Sequence, residues 1–232
     1  MEIYRGPSQI DGQLIVCITT ESKNRKTGEM LQVWLLSTAM NPIKATYNNL
    51  DRSICGDCKH RNTSCYVALF QAPYQIYHNW KRGKYAISHD FSMFANRKVR
   101  FGAYGDPVAM PLEIIRGIAK VSSGWTGYTH QWKLAIAQEY KPFLMASVDT
   151  LAEYHEAKAM GWRTFRIKNA EESKLKQEIV CPASIEAGKK SNCAKCGLCS
   201  GLSSKSPRDI VINVHGLQHK QDKFKRMALE VV

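Results

Sequence analysis

The distribution of cysteines constrains this chain more than any other feature of its sequence. Seven of the eight cysteines fall into two sets with ligand-like spacing, and the eighth, Cys17, stands apart. In a reducing compartment such groups are rarely disulfides, so metal is the first explanation. The fold is therefore expected to bring each set together around a metal ion or an iron–sulfur cluster.

Set 1 consists of Cys55, Cys58 and Cys65, in a Cys-x2-Cys-x6-Cys arrangement. Three thiolates leave one position open on a tetrahedral zinc ion or on a cubane iron–sulfur cluster, unless His60 or Cys17 closes the site. An open zinc holds water, whereas an open iron can chelate a substrate or cofactor. A closed zinc knuckle is the structural alternative.

Set 2 consists of Cys181, Cys193, Cys196 and Cys199. Two consecutive Cys-x2-Cys steps wrap neighbouring ligands around one centre, which is a strong metal signal. The remote fourth cysteine favours a [4Fe-4S] cluster, because tetrahedral zinc sites more commonly pair two Cys-x2-Cys units. The sequence thus predicts one or two [4Fe-4S] clusters, with zinc as the alternative.

Short apolar segments alternate with amphipathic ones along most of the chain. Residues 14–19 and 31–36 predict two strands of an N-terminal β-hairpin, and from residue 99 strands alternate with helices of about ten residues. This order is typical of parallel βα units. We expect an α/β fold, a partial or complete βα barrel, with a flat doubly wound sheet as the second choice.

The chain divides by composition into three predicted parts. These are an N-terminal β-hairpin with its connection (1–50), a barrel-like core with set 1 (51–180), and a segment with set 2, the last strand and a basic tail (181–232).

Polar residues follow several of the predicted strands, where βα folds place their chemistry. We take Tyr128, His130, Asp149 and Arg166 as candidate catalytic groups, because their strands would aim them at the mouth of a barrel. A purely structural role is the alternative for these residues, since an Asp after a strand is usually a helix cap and a single His is usually structural.

The net charge of +13 points to an anionic partner. DNA, RNA or a phosphate-bearing substrate would fit, and a solvated basic surface on an ordinary enzyme is the plain alternative. The candidate nucleic-acid contacts form a basic tail: Lys220, Lys223, Lys225 and Arg226. The opposing hypothesis to an enzyme is a metal-stapled nucleic-acid-binding protein.

Several classes are disfavoured by missing patterns. No Walker phosphate loop, no Gly-x-Ser-x-Gly elbow and no His-hydrophobe-His pair occurs, which argues against an ATPase, a serine hydrolase and a replication initiator of that type. No apolar run approaches the roughly 18 residues of a membrane span, and residues 1–5 lack the character of a signal peptide. We expect a cytoplasmic protein without a membrane partner. Its oligomeric state does not follow from the sequence.

Together, set 1 ending in Cys65-Tyr66, the turn Gly105-Asp106-Pro107 and set 2 resemble a compact radical S-adenosylmethionine enzyme with an auxiliary cluster. The resemblance implies a [4Fe-4S] cluster on set 1 whose open iron binds the amino and carboxylate groups of S-adenosylmethionine. It implies that Tyr66 flanks this cluster and that Gly105, Asp106 and Pro107 form the turn that contacts the cofactor's amino group. Reductive cleavage of the cofactor would then give a carbon radical that abstracts hydrogen from a substrate.

The whole chain also resembles a group of phage and bacterial proteins to which no activity is attached. The shared marks are the segments 24–28, 65–67, 102–107, 127–132 and 181–184, followed by the cysteines of set 2. This resemblance implies a phage or mobile-element setting, in the host cytoplasm, where a basic protein meets nucleic acid.

Overall fold

Two five-stranded sheets form the framework of the structure, a computed structural model that describes residues 1–229. Residues 230–232, the end of the predicted C-terminal part, lie outside the described residues. The strands are β1 (Glu2–Pro7), β2 (Leu14–Thr20), β3 (Leu31–Ser37), β4 (Lys98–Tyr104), β5 (Gly124–Thr126), β6 (Tyr128–Thr129), β7 (Met145–Val148), β8 (Thr164–Lys168), β9 (Glu178–Val180) and β10 (Asp209–Asn213).

The first sheet has the order β1-β2-β3-β4-β5 and is mixed. Strands β1, β2 and β3 pair antiparallel with one another, and β4 then pairs parallel with β3 and β5 parallel with β4. The second sheet has the order β6-β7-β8-β10-β9 and is parallel throughout. The carboxyl ends of its strands therefore lie along one edge.

Helices connect the strands: α1 (Pro42–Tyr47), α2 (Arg52–Cys55), α3 (Ala72–Lys81), α4 (Leu112–Val121), α5 (Leu151–Ala159), α6 (Cys193–Cys196) and α7 (Gln218–Leu229). Within residues 1–229, none of the helices is both long enough and apolar enough to cross a membrane.

The predicted α/β class is confirmed, and β2 and β3 form the predicted hairpin. Strand β1, which the sequence analysis did not predict, extends the hairpin on its other side. The apolar run Ile15–Ile18 in β2 is fully buried, as expected for a strand covered on both faces. A barrel is not shown, and the strands are divided between the two sheets. The predicted division into three parts stays a prediction, although strands from the first part pair with strands from the second.

The two sheets meet at Gly127, the single residue between β5 and β6. Its amide donates to the Cys199 carbonyl and its carbonyl accepts from the Met145 amide, both at 3.0 Å. A Cβ at this position would lie 2.5 Å from Leu144 Cδ2. A larger residue would therefore require the Leu144 side chain to move, and the amide of Gly127 ties the last cysteine of set 2 to the junction.

Two helix starts illustrate how local sequence sets the elements. Helix α3 begins at Ala72 with Pro73 in its first turn. Proline suits this position because the first-turn amides lack helical partners. In α5, Thr150 is the N-cap, and its hydroxyl accepts from the Glu153 amide at 3.1 Å. Asp149 is therefore free for another role.

Arg166 lies in a fully buried ion pair within the second sheet. Its Nε donates to Glu178 Oε1 at 2.7 Å and its Nη2 to Oε2 at 2.9 Å, and neither side chain is exposed. Nη1 also donates to Glu172 Oε2 at 3.1 Å. This bidentate pair joins β8 to β9 across the intervening β10.

We expect Arg166→Met to lower the free energy of unfolding by about 3–5 kcal/mol, because Glu178 would be left as an unpaired buried charge. Lys133→Met is the control, since it breaks a 2.6 Å ion pair with Glu156 in which both side chains are about half exposed. That pair contributes at most about 1 kcal/mol. Urea unfolding followed by circular dichroism measures both variants. Equal stability of the two would contradict a structural role for Arg166.

Candidate functional site

Set 1 begins at Cys55, the last residue of α2, and continues in the following loop, which is fixed from both sides. Arg61 donates through Nη2 to Asp51 Oδ1 at 2.6 Å and through Nη1 to the Gly56 carbonyl at 2.9 Å. Gln131, just past β6, donates through Nε2 to the Cys55 carbonyl at 2.8 Å. The loop that carries the three thiols is thereby held against the end of the sheet.

The thiols of set 1 lie in a low-dielectric environment. Burial raises the pKa of Cys55 well above its usual value, and the charges of Cys58 and Cys65 would raise it further. Burial also raises the pKa of Cys58, an effect that nearby His60 opposes. Burial therefore favours the neutral thiols, and holding all three as thiolates would require a compensating positive charge, such as that of a bound metal.

Set 2 surrounds one small pocket. All four of its cysteines line this pocket, together with Tyr128 and six other residues: Thr126, Pro182, Ala183, Gly197, Leu198 and Ile210. Cys181 directly follows β9, and Cys193 and Cys196 are the first and last residues of α6. Burial raises the pKa of Cys199, and the hydrogen bond from Tyr128 opposes that rise.

A loop from the N-terminal hairpin supports set 2 from outside. The Cys193 amide donates to the Lys26 carbonyl at 2.9 Å, and the Ala194 amide donates to the Thr27 carbonyl at 3.0 Å. A Cβ on Gly28 would lie 3.0 Å from the Asn192 side chain. The shared segment 24–28 is thus part of the framework of set 2.

Three polar side chains converge beside set 1. His130 follows β6 and Asp149 follows β7, and the two strands run parallel. His60, from the loop of set 1, places Nε2 2.7 Å from Asp149 Oδ2. One ligand atom from each of the three residues lies within 4.8 Å of those of the other two.

This group contains two buried polar atoms that bind no other group within residues 1–229, namely His130 Nε2 and Asp149 Oδ1. Burial acts to raise the pKa of Asp149, but the hydrogen bond and charge of His60, with His130 and Lys59, lower it to about 2. Asp149 is therefore a buried carboxylate with one free oxygen, next to a free ring nitrogen.

The C-terminal helix α7 covers both set 1 and this polar group. Phe224 is 4% exposed, and its ring stacks on His60 with the centroids 5.8 Å apart. Met227 Sδ accepts a hydrogen bond from Ser64 Oγ at 3.5 Å. The helix therefore limits access of water to the site.

The sequence-predicted candidates occupy three different environments. His130 and Asp149 come together as expected. Tyr128 instead belongs to set 2, and Arg166 lies in the buried ion pair with Glu178. Tyr66, next to set 1, is about half exposed and accepts a hydrogen bond from Arg100 Nη2 at 2.8 Å. The roles proposed for all of these residues toward substrate or cofactor, those of His130 and Asp149 included, stay predictions.

The turn Gly105-Asp106-Pro107 lies at the end of β4. Gly105 has a φ of 80°, and a Cβ there would lie 2.7 Å from Leu35 Cβ. The Asp106 carboxylate accepts from the Val108 amide at 3.0 Å and from the His130 amide at 2.7 Å. Asp106 thus positions His130, and both of its oxygens bind backbone amides.

The predicted basic tail lies on α7, and its members differ. Lys220 is partly buried and donates through Nζ to the carbonyls of Cys65 and Val67. Lys220 therefore attaches α7 to the loop of set 1, whereas Lys225 lies 3.8 Å from Glu171 Oε1 and is exposed, as are Lys223 and Arg226.

The sequence analysis did not predict the contacts that His60 and Arg100 make at the site. His60 was considered only as a fourth ligand for set 1, although its position between Cys58 and Cys65 was a signal. Arg100 was not among the candidate residues. Its side chain binds Tyr66, and its guanidinium lies 5.5 Å from the centre of the Tyr128 ring. Arg100 therefore links the residues that flank the two cysteine sets.

Comparisons with protein-family models, curated proteins and solved structures find no match to this chain. The resemblances drawn from its motifs stay predictions, and its function rests on the chemistry of the site.

We expect Phe224→Ala to release α7 from the site, because losing a buried ring costs about 3–5 kcal/mol, which is large for a terminal helix. In reduced, metal-free protein, Cys58 and Cys65 should then react faster with iodoacetamide, as measured by mass spectrometry. The cysteines of set 2 are the internal control and should keep their rates. Leu217→Ala, at a half-exposed position before the helix, should change neither set. Unchanged rates at set 1 in Phe224→Ala would contradict the covering role.

Proposed function

We propose that the chain is an iron–sulfur protein of the kind it resembles, a radical S-adenosylmethionine enzyme. Set 1 would hold a [4Fe-4S] cluster with one open iron, and set 2 a closed cluster. The observation that carries the proposal is the contrast between the sets. Set 1 has three partly buried thiols beside the unpartnered polar atoms of His130 and Asp149, whereas set 2 has four thiols around one pocket.

The donor chemistry of both sets fits a cluster. Thiolates are the usual ligands of iron–sulfur clusters. A bound metal stabilises the thiolate form even where burial raises the thiol pKa, and the thiol protons are released to solvent.

Bound at set 1, the cluster and S-adenosylmethionine would supply a carbon-centred radical after reduction. The chain's own residues would confine this chemistry. Phe224 and α7 exclude water, and Arg61 with Gln131 holds the loop that carries the thiols. His130 and Asp149 would face the polar groups of a substrate.

The turn Gly105-Asp106-Pro107 would contact the cofactor through its backbone. Both carboxylate oxygens of Asp106 already accept hydrogen bonds from amides of the chain. In this proposal Asp106 is a positioning residue, which sets the turn and holds His130.

We propose nucleic acid, or another phosphate-bearing molecule, as the substrate class. Lys223, Lys225 and Arg226 are exposed on the helix that covers the site, so a polyanion bound there would lie next to its entrance. The alternative is a metal-stapled nucleic-acid-binding protein without catalysis, which the same exposed cations would serve.

The barrel and the cellular setting also remain proposals. Gly127 connects the edge strands of the two sheets, which supports a partial barrel that curves through this junction. We place the protein in the cytoplasm of a bacterium or of a phage-infected host.

Anaerobically purified protein should be brown and contain iron and sulfide, with roughly eight irons per chain if both clusters are [4Fe-4S]. S-adenosylmethionine should perturb the spectrum of the iron-loaded protein, and a reductant should then yield 5′-deoxyadenosine. Metal analysis, absorption spectroscopy and chromatography measure these outcomes. Stoichiometric zinc without sulfide would overturn the enzyme proposal and favour the alternative.

Cysteine variants separate the roles of the two sets. Cys58→Ser should stay folded and lose cofactor cleavage, while Cys196→Ser should lose solubility or stability, since metal binding at a closed site is coupled to folding. Cys17→Ser is the matched control, because this buried cysteine lies in β2 outside both sets and should keep the full iron content. Equal collapse of Cys58→Ser and Cys196→Ser would argue against a catalytic set 1.

If nucleic acid binds at α7, affinity for single-stranded DNA or RNA should fall steeply with salt, because cation–phosphate contacts release counterions. A Lys223→Glu, Lys225→Glu and Arg226→Glu triple variant should bind much more weakly, as fluorescence anisotropy can measure. Lys220→Glu is not included, because Lys220 anchors α7. A triple variant of similar charge change at Lys174, Lys176 and Lys205 is the control. Equal losses in both triple variants would show that the net charge, rather than α7, determines binding.

A further inference from the structure

The His60, His130 and Asp149 side chains form a ligand set that neither cysteine set uses. Two imidazoles and one carboxylate, from a loop and from two adjacent strand ends, direct ligand atoms within 4.8 Å of one another. Three such ligands are typical of mononuclear catalytic metal sites, in which the remaining positions stay open.

The hydrogen bonds of His60 leave Nε2 directed at Asp149. Ser64 Oγ lies 2.6 Å from His60 Nδ1 and donates its single proton to Met227 Sδ. In the tautomer with the ring proton on Nδ1, His60 donates to Ser64 Oγ, an outer-shell contact that metal-binding histidines usually make. The Nε2 lone pair then faces the Asp149 carboxylate at 2.7 Å, an arrangement that needs a second ring proton or a metal cation between them.

Two further polar atoms in the group would be satisfied by the same metal cation. His130 Nε2 and Asp149 Oδ1 are buried and bind no other group within the described chain, and the Asp149 side chain is 5% exposed. Unsatisfied buried polar atoms are rare and costly. A single cation between the three residues would satisfy both atoms.

The surroundings of the group are compatible with a cation. Lys59 Nζ lies 3.1 Å from Asp149 Oδ2, on the oxygen that His60 also contacts, and pairs at 2.8 Å with Glu153. Glu153 thus balances the charge of Lys59, and Asp149 Oδ1 remains free. Phe224 covers His60 with an apolar surface, which strengthens metal coordination by excluding water.

We propose that His60, His130 and Asp149 bind one divalent first-row transition-metal ion, separate from whatever the cysteine sets hold. Imidazole and carboxylate donors suit iron, cobalt or zinc. The open positions would take water or an oxygen atom of a substrate. In an enzyme built as proposed above, the substrate would then reach His130 and Asp149 through the metal, but the site does not depend on that function.

The test is retention of Co²⁺ by anaerobically purified full-length protein, whose cysteine sets keep the metals they were isolated with. After equilibrium dialysis we expect one additional cobalt per chain, with visible d–d bands and no new thiolate-to-cobalt charge-transfer band. His130→Ala and Asp149→Asn should bind this cobalt at least about 100-fold more weakly. Ser64→Ala should weaken it about 10–100-fold, as expected for an outer-shell contact.

His78→Ala is the matched control, since His78 Nε2 is also buried without a hydrogen-bond partner in residues 1–229 but lies in α3 outside the group. It should retain the cobalt. If His130→Ala does not fold, His130→Gln takes its place, with circular dichroism reporting the fold of each variant. Absence of additional cobalt in the unmodified protein overturns the site, as does equal retention in His130→Ala, Asp149→Asn and His78→Ala. A thiolate-to-cobalt charge-transfer band that persists in His130→Ala would also overturn the site, because it would place the cobalt at the cysteines. Because the readout is metal content, failure of cofactor cleavage does not affect it.

Discussion

The contact between His60 and Asp149 joins two parts of the chain that are 89 residues apart, the loop of set 1 and the end of β7. A buried carboxylate is expensive unless it is paired, so this contact constrains the position of the loop as strongly as it constrains the aspartate. Arg61, Gln131 and Phe224 then hold the loop from its remaining sides. These polar and aromatic contacts therefore fix the position of the set 1 cysteines.

The two cysteine sets are physically connected through Arg100. Its guanidinium binds the Tyr66 hydroxyl on one side and lies over the Tyr128 ring on the other, and Tyr128 contacts Cys199. A partly buried cation between two groups of cysteines would offset part of the negative charge of their thiolates. A change of charge at either set would therefore alter the electrostatic potential at the other.

The sequence predicted the parts of this structure that depend on local patterns. Strand ends were predictable because apolar runs stop at polar residues, and parallel strands bring those ends together, which explains the convergence of His130 and Asp149. The cap at Thr150 follows from its side chain alone. Other placements depend on partners that are distant in the chain or not visible as a pattern. Arg166 pairs with Glu178, and Lys220 binds backbone carbonyls, so neither could be distinguished from a surface cation.

The contact between α6 and the segment 24–28 has a consequence for how the protein folds. Cys193 and Lys26 are joined across most of the chain, so this contact closes a very long loop and contributes to a high contact order. The segment 181–199 on its own lacks the carbonyls that orient its first helical turn. Set 2 therefore differs from an autonomous zinc knuckle. The backbone of its first helical turn gains these hydrogen bonds only when the N-terminal hairpin has docked, so the arrangement of set 2 depends on a contact between distant parts of the chain.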